Sequence, residues 1–136
     1  MIFGVGTDIV QISRIKAATE RHGESFAQRI LADTEFELYK KASRPDAYLA
    51  KRFAAKEAAA KAMGTGFTNG LSLQHIIVTN AASGQPQLEL VGRAKKLGEE
   101  LGFEQSFLSL ADEKEYAIAY VTLMVSPLAS SADCQI

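Results

Sequence analysis

A single cysteine in 136 residues, Cys134, excludes a disulfide framework and a cysteine-based metal site. No apolar run reaches the ~18 residues of a membrane span, and Met1-Ile2-Phe3-Gly4-Val5-Gly6 has neither a basic leader nor a long apolar segment. The expectation is a cytoplasmic protein with no membrane role. Basic residues do not exceed acidic ones, 15 against 16, for a net charge of -1, which argues against a protein that coats nucleic acid. Internal repeats, linkers and low-complexity blocks are absent. There is no Walker-type phosphate loop, and Gly64-Thr65-Gly66 with Gly70 lacks the strand and helix that flank a dinucleotide fingerprint, so it reads as a helix stop. His22 and His75 stand alone, one near a helix end and one within a strand, and Ser109 lies on a strand with no obvious histidine or acid beside it in sequence, so a hydrolase triad has little support.

What is present is ordinary globular composition, 47% hydrophobic and 23% charged. One domain over residues 1–125 is expected, followed by a small, polar and loose tail over 126–136. The near-neutral sum hides a bias. Lys40, Lys41, Arg44, Lys51, Arg52, Lys56 and Lys61 lie within a stretch that holds only Asp46 and Glu57 as acids, whereas Glu89 to Glu115 is net acidic. The basic stretch reads either as a site for a phosphate-bearing or acidic partner or as a solvated helix face.

Ile2 to Ile12 reads as a strand whose alternation puts Gly4, Gly6 and Asp8 on one face. Helices are expected over Arg14–His22 with Ser13 as cap, Glu24–Leu31, Thr34–Ala42 with Asp33 as cap, and Asp46–Met63. The second half changes period. Leu73–Thr79 and Pro86–Val91 read as a hairpin, Gly92–Leu101 as a helix, and Ser106–Ala111 with Tyr116–Val125 as a last strand pair, the second apolar on both faces like a central strand. This order predicts an α+β domain with helices packed on a mainly antiparallel sheet.

The stretch with most chemistry is Phe53-Ala54-Ala55-Lys56-Glu57-Ala58-Ala59-Ala60-Lys61-Ala62. On a helix of about 100° per residue, Ala50, Ala54, Glu57, Ala58 and Lys61 share a face, and Lys56 points away from it. Glu57 and Lys61 are spaced as a surface helix pair, but methyl side chains around them also let a backbone or ligand come close. Magnesium takes one or two protein carboxylates, keeps waters and completes its shell with substrate phosphates, a need that Asp8 beside two glycines and Glu57 on its alanine face would meet. Lys61, one turn beyond Glu57, could reach a phosphate oxygen there.

Gly4-Val5-Gly6-Thr7-Asp8-Ile9-Val10, then Arg52-Phe53-Ala54-Ala55-Lys56-Glu57-Ala58-Ala59-Ala60-Lys61-Ala62, then Gly84-Gln85-Pro86 together resemble the bacterial holo-acyl-carrier-protein synthases of the 4'-phosphopantetheinyl transferase superfamily. The resemblance runs from about Met1 to Val125. It implies the 4'-phosphopantetheinyl transferase fold, transfer of the phosphopantetheine arm of coenzyme A to a serine of apo acyl carrier protein, release of adenosine 3',5'-bisphosphate, and a homotrimer with coenzyme A at each subunit interface. It implies Asp8 and Glu57 as magnesium ligands and Lys61 as the contact to the coenzyme A pyrophosphate. Glu57 or a water on the metal is the implied proton acceptor. Arg52, Gly64, Gly84, Pro86 and Ser109 are the further coenzyme A positions, the Gly84-Gln85-Pro86 turn being similar to the family segment that borders the adenine nucleotide, with basic residues near Arg44 or from Lys61 to Gly64 as candidates for the 3'-phosphate. Arg14, Arg21 and Arg29 are the candidate contacts to the acidic carrier protein. Phe107 stands where some relatives are expected to carry a histidine, so that histidine's role does not transfer. The alternative of another class is a noncatalytic module that binds coenzyme A or the carrier protein.

Overall fold

The computed structural model describes residues 1–125, and the tail expected over 126–136, Cys134 included, lies outside the described residues. Strand β1 (Ile2–Gln11) is followed by four helices, α1 (Ile12–His22), α2 (Glu24–Ile30), α3 (Asp33–Lys41) and α4 (Pro45–Met63). A 3-10 turn (Leu73–His75) leads into β2 (Ile76–Asn80) and β3 (Pro86–Leu90), then α5 (Gly92–Leu101), β4 (Gln105–Asp112) and β5 (Tyr116–Met124). All strand pairings are antiparallel, as an α+β chain with two hairpins should give. They divide into a three-stranded sheet in the order β1-β5-β4 and a separate β2-β3 ribbon. β5 is central, in keeping with its two apolar faces.

The sequence places most boundaries within a residue or two, and the departures have local causes. Ser13 lies inside α1 instead of capping it, because the helix already starts at Ile12 with Gln11 at the N-cap, where the Ile12 N–H donates to the Glu115 carbonyl at 2.8 Å. Asp33 likewise falls inside α3. The residue before it, Ala32, gives its N–H to Glu35 Oε1 at 2.9 Å, so a glutamate in the first turn closes the helix start. His75, expected in a strand, sits in the 3-10 turn, where its Nδ1 accepts the Ser72 N–H at 3.1 Å. Gly64 ends α4 with φ 81, its N–H donating to the Lys61 carbonyl at 3.0 Å.

Helix α4 is the centre of the molecule. Ala50, Ala54, Ala55, Ala58 and Ala59 are fully buried, and against them lie the inward residues Ala117, Ala119 and Val121 of β5. With only methyl groups at this seam the strand backbone reaches the helix backbone directly. A Cβ on Gly6 would stand 2.0 Å from the Ala58 carbonyl oxygen, and one on Gly4 would stand 2.1 Å from that of Ala62. Neither neighbour can give way, being main chain inside a helix. The glycines expected to clear space on the Asp8 face therefore clear it for α4 itself. Gly6→Ala should cost about 3 kcal/mol or more, read as a lowered urea midpoint, and a midpoint within error of the parent protein would overturn this account of the seam.

Candidate active site

β1 presents Asp8 toward α4, one pleat repeat beyond Gly6, and α4 presents Glu57 and Lys61 one turn apart. The structure brings these three together. Lys61 Nζ donates to Asp8 Oδ1 at 2.9 Å and to the Thr7 carbonyl at 3.0 Å, so its ion pair is made across the seam and not along the helix to Glu57. The Lys61 side chain is about half exposed, whereas Asp8 is largely covered, with 54% and 16% of each side chain open to solvent. The Glu57 carboxyl is held above the usual glutamate range, first by burial and then by the negative charge of Asp8, with Lys61 opposing both.

The Asp8 carboxylate acting on Glu57 makes this a natural cation site, and one short of protein ligands. Among the described residues no three His, Cys, Asp or Glu side chains are grouped to hold a metal. Asp8 and Glu57 therefore fit an ion that draws most of its shell from water and substrate oxygens, which is magnesium's habit. Lys61 beside them adds a positive charge that can turn outward to an anionic substrate.

The other expected positions fall elsewhere. Gly84 (φ 92) and Pro86 form the β2-β3 turn, and Gly64 closes the end of α4 just past Lys61. Arg14, Arg21 and Arg29 are exposed on α1 and α2. Ser109 lies on β4 opposite Tyr120, on the outward face of the three-stranded sheet, and Phe107 shares that face. Asp8 is on the inward face, so a single chain does not bring Ser109 to it. Arg52 is in the interior, 4.1 Å over the Tyr48 ring and 3.4 Å from Asn80 Oδ1 through Nη2.

Sequence reasoning missed the buried ion pair beneath the site. Lys56 is fully buried with Nζ 2.6 Å from Glu35 Oε1, so two of the seven residues of the basic stretch, Arg52 and Lys56, face inward. Burial draws the Lys56 ammonium below the usual lysine range and Glu35 opposes this. A signal was present: Lys56 shares a helical stripe with Ala59, Ala60 and Met63, all buried.

Glu57 fixes a pH dependence. A carboxyl whose folded pKa lies above its unfolded value binds protons more tightly when folded, so it penalises the fold at neutral pH and the penalty fades as pH falls through the folded and then the unfolded value. Glu57→Gln should raise the melting temperature at pH 7 by about 1–4 °C, with the gain shrinking toward pH 4. A gain that grows on acidification would contradict the assignment.

Comparison with known proteins places the chain among relatives of one family. Residues 4–121 match the model of the 4'-phosphopantetheinyl transferase superfamily. The holo-[acyl-carrier-protein] synthase of Nitrosococcus oceani is 56% identical over 124 residues, covering 91% of this chain and 80% of that protein. The crystal structure of the corresponding enzyme from Neisseria meningitidis superposes with a TM-score of 0.87 at 41% identity, covering 90% of this chain and 98% of the other. One from Bacillus anthracis, solved in complex with CoA (3',5'-ADP), gives a TM-score of 0.77 at 35% identity over 93% of this chain and 99% of the other.

Proposed function

The chain belongs to the holo-acyl-carrier-protein synthases of the 4'-phosphopantetheinyl transferase superfamily, and we propose that it carries out magnesium-dependent transfer of 4'-phosphopantetheine from coenzyme A to a serine of apo acyl carrier protein. The observation that carries this reading is the meeting of Asp8, Glu57 and Lys61 at the β1-α4 seam. The transferase domain is taken to be residues 1–125, and the products are holo carrier protein and adenosine 3',5'-bisphosphate. A noncatalytic binding role is set aside by the family.

Asp8 and Glu57 would hold magnesium, which when bound supplies charge neutralisation on the pyrophosphate oxygens. Lys61 pairs with Asp8 through a side chain that is half exposed, so its ammonium can serve a pyrophosphate oxygen and hold the reacting phosphorus in place. The carrier serine Oγ then bonds to the β-phosphorus as the bond to the departing nucleotide phosphate breaks. Glu57 is this chain's own acceptor for the serine proton. Exposed Arg14, Arg21 and Arg29 offer positive charge to the acidic carrier protein.

The remaining coenzyme A positions, Arg52, Gly64, Gly84, Pro86 and Ser109, do not fit one site in one subunit, because Ser109 and Asp8 occupy opposite faces of the sheet. A homotrimer with coenzyme A between subunits resolves this. The outward face supports it: Val5, Ile9, Phe107, Ile118 and Tyr120 are 42–61% exposed and adjacent on three paired strands, an apolar surface that a second copy would cover.

Incubation with coenzyme A, magnesium and an apo carrier protein should raise the carrier mass by one phosphopantetheine. Asp8→Asn and Lys61→Ala should each lower the rate about 10²-fold or more with the circular dichroism spectrum retained. An unchanged mass with a competent carrier would defeat the reading, and a near-parent rate in either variant would remove that residue from the machinery. Ile118→Lys should shift sedimentation from trimer to monomer and lower activity with it; an unaltered trimer would place the interface elsewhere.

A further inference from the structure

Beyond Asp8, Glu57 and Lys61, three further charged groups lie in the interior. These are Glu35, Arg52 and Lys56, exposed by 1%, 5% and 0%. Charges withdrawn from water persist where partners compensate them. Glu35 is fully compensated. Oε1 accepts from Lys56 Nζ at 2.6 Å and from the Ala32 N–H at 2.9 Å, and Oε2 accepts from the Val78 N–H at 3.0 Å. Lys56 also donates to the Leu73 carbonyl at 2.9 Å. These bonds tie the start of α3, the middle of α4, and the chain entering and forming β2.

Arg52 is different. Its Nε lies 4.0 Å from Glu35 Oε2 and has no hydrogen-bond partner among the described residues. The guanidinium instead lies over the Tyr48 ring and reaches Asn80 Oδ1 through Nη2. Asn80 ends β2 and carries the connection onward, its Nδ2 donating to the Gly84 carbonyl at 3.0 Å. The β2-β3 connection is closed by backbone bonds, the Ala81 N–H donating to the Gln85 carbonyl at 2.9 Å and the Gly84 N–H to the Ala81 carbonyl at 2.8 Å, and the Asn80 side chain adds a bond from the end of β2 to the same turn. The β2-β3 ribbon is not hydrogen-bonded to the three-stranded sheet. Its turn is therefore located relative to α4, and so to Glu57 and Lys61, by side chains: Arg52 with Asn80 at the turn end, and Glu35 with Lys56 further back.

We infer that Arg52 is a positioning residue for coenzyme A, acting through Asn80 to hold the Gly84-Gln85-Pro86 turn against the nucleotide while the Glu35-Lys56 pair fixes the base of the same ribbon on α4. This rests on the reading that the turn borders the nucleotide. It assigns Arg52 a part in the fold of the site in place of a direct ligand contact, and it gives Asn80 a role in substrate affinity.

Asn80 is exposed, so its replacement tests the relay without opening the core. Asn80→Ala should raise KM for coenzyme A about tenfold, the scale of one lost hydrogen bond to a charged group, with kcat and the KM for carrier protein within about twofold. Inhibition by adenosine 3',5'-bisphosphate should weaken in parallel, and the melting temperature should move by no more than about 2 °C. Arg52→Lys, which keeps the charge but loses the planar fork, should raise the same KM by a smaller factor. Gly84→Val, which disturbs the turn directly at φ 92, separates the two levels. If Gly84→Val raises KM for coenzyme A and Asn80→Ala does not, the relay is wrong and the turn stays at the nucleotide. If both leave it unchanged, the placement of the turn fails and the relay falls with it. A drop in kcat together with a lowered melting temperature in Asn80→Ala would mark a merely structural role and also overturn the inference.

Discussion

The contact on which the molecule depends is main chain against main chain, where β1 crosses α4. Gly4 and Gly6 have no side chain to spare, and the helix opposite offers the carbonyls of Ala58 and Ala62. Such an approach is possible only where both surfaces are stripped to their minimum, so the alanines and the glycines are one requirement seen from two sides. It also locates the chemistry. A strand held this close must deliver its next inward side chain, Asp8, to the helix surface, and the helix answers there with Lys61 and Glu57. Larger residues at the seam would lift Asp8 away from both.

A second constraint acts at right angles to the first. Glu35, Lys56 and Arg52 hold the far side of α4, so the helix is fixed in rotation as well as in position. Lys56 and Glu57 are neighbours in sequence and about 100° apart around the axis. Burying one ammonium in a defined partner set sets the direction in which the adjacent carboxylate leaves the helix. Hydrophobic packing alone does this poorly on an alanine surface, where methyl groups carry little shape to resist rotation. A buried ion pair contributes little net stability, but its geometry is specific, and rotational register is what this helix otherwise lacks.

Much of this is legible in the sequence. Alternation in β1 puts Gly4, Gly6 and Asp8 on one face, and the alanine run marks a surface suited to close approach. The apolar character of β5 on both faces identifies the central strand. What stays hidden depends on partners distant in sequence. Glu35 gives no local sign of burial, being one acid among several in a polar helix, and its partner Val78 N–H is backbone. Lys56 resembles the solvated lysines around it as long as charge is followed along the chain and not around the helix. Spacing also misleads about the partner of Lys61, favouring Glu57, whereas the strand brings Asp8 within hydrogen-bond distance from across the seam. The helix starts depart from expectation for a related reason, since α1 and α3 begin one or two residues earlier, with Gln11 and Ala32 at the N-cap, and Ser13 and Asp33 fall inside the first turn.

The sheet divides the expected coenzyme A residues into two sets that one subunit cannot reunite. Asp8 points to α4 from the inward face, and Ser109 with Phe107 points outward among Val5, Ile9, Ile118 and Tyr120. A strand's alternation is strict, so no small rearrangement carries Ser109 through the sheet. The outward set can meet a ligand bound at a β1-α4 seam only if the seam belongs to another copy. The apolar outward face is also the face that carries Ser109, so the proposed association would cover the one and bring the other to a neighbouring seam. On the proposed reading, self-association would complete the site, and the exposed side chains of β5 would act on it through assembly and not through contact with the reacting groups.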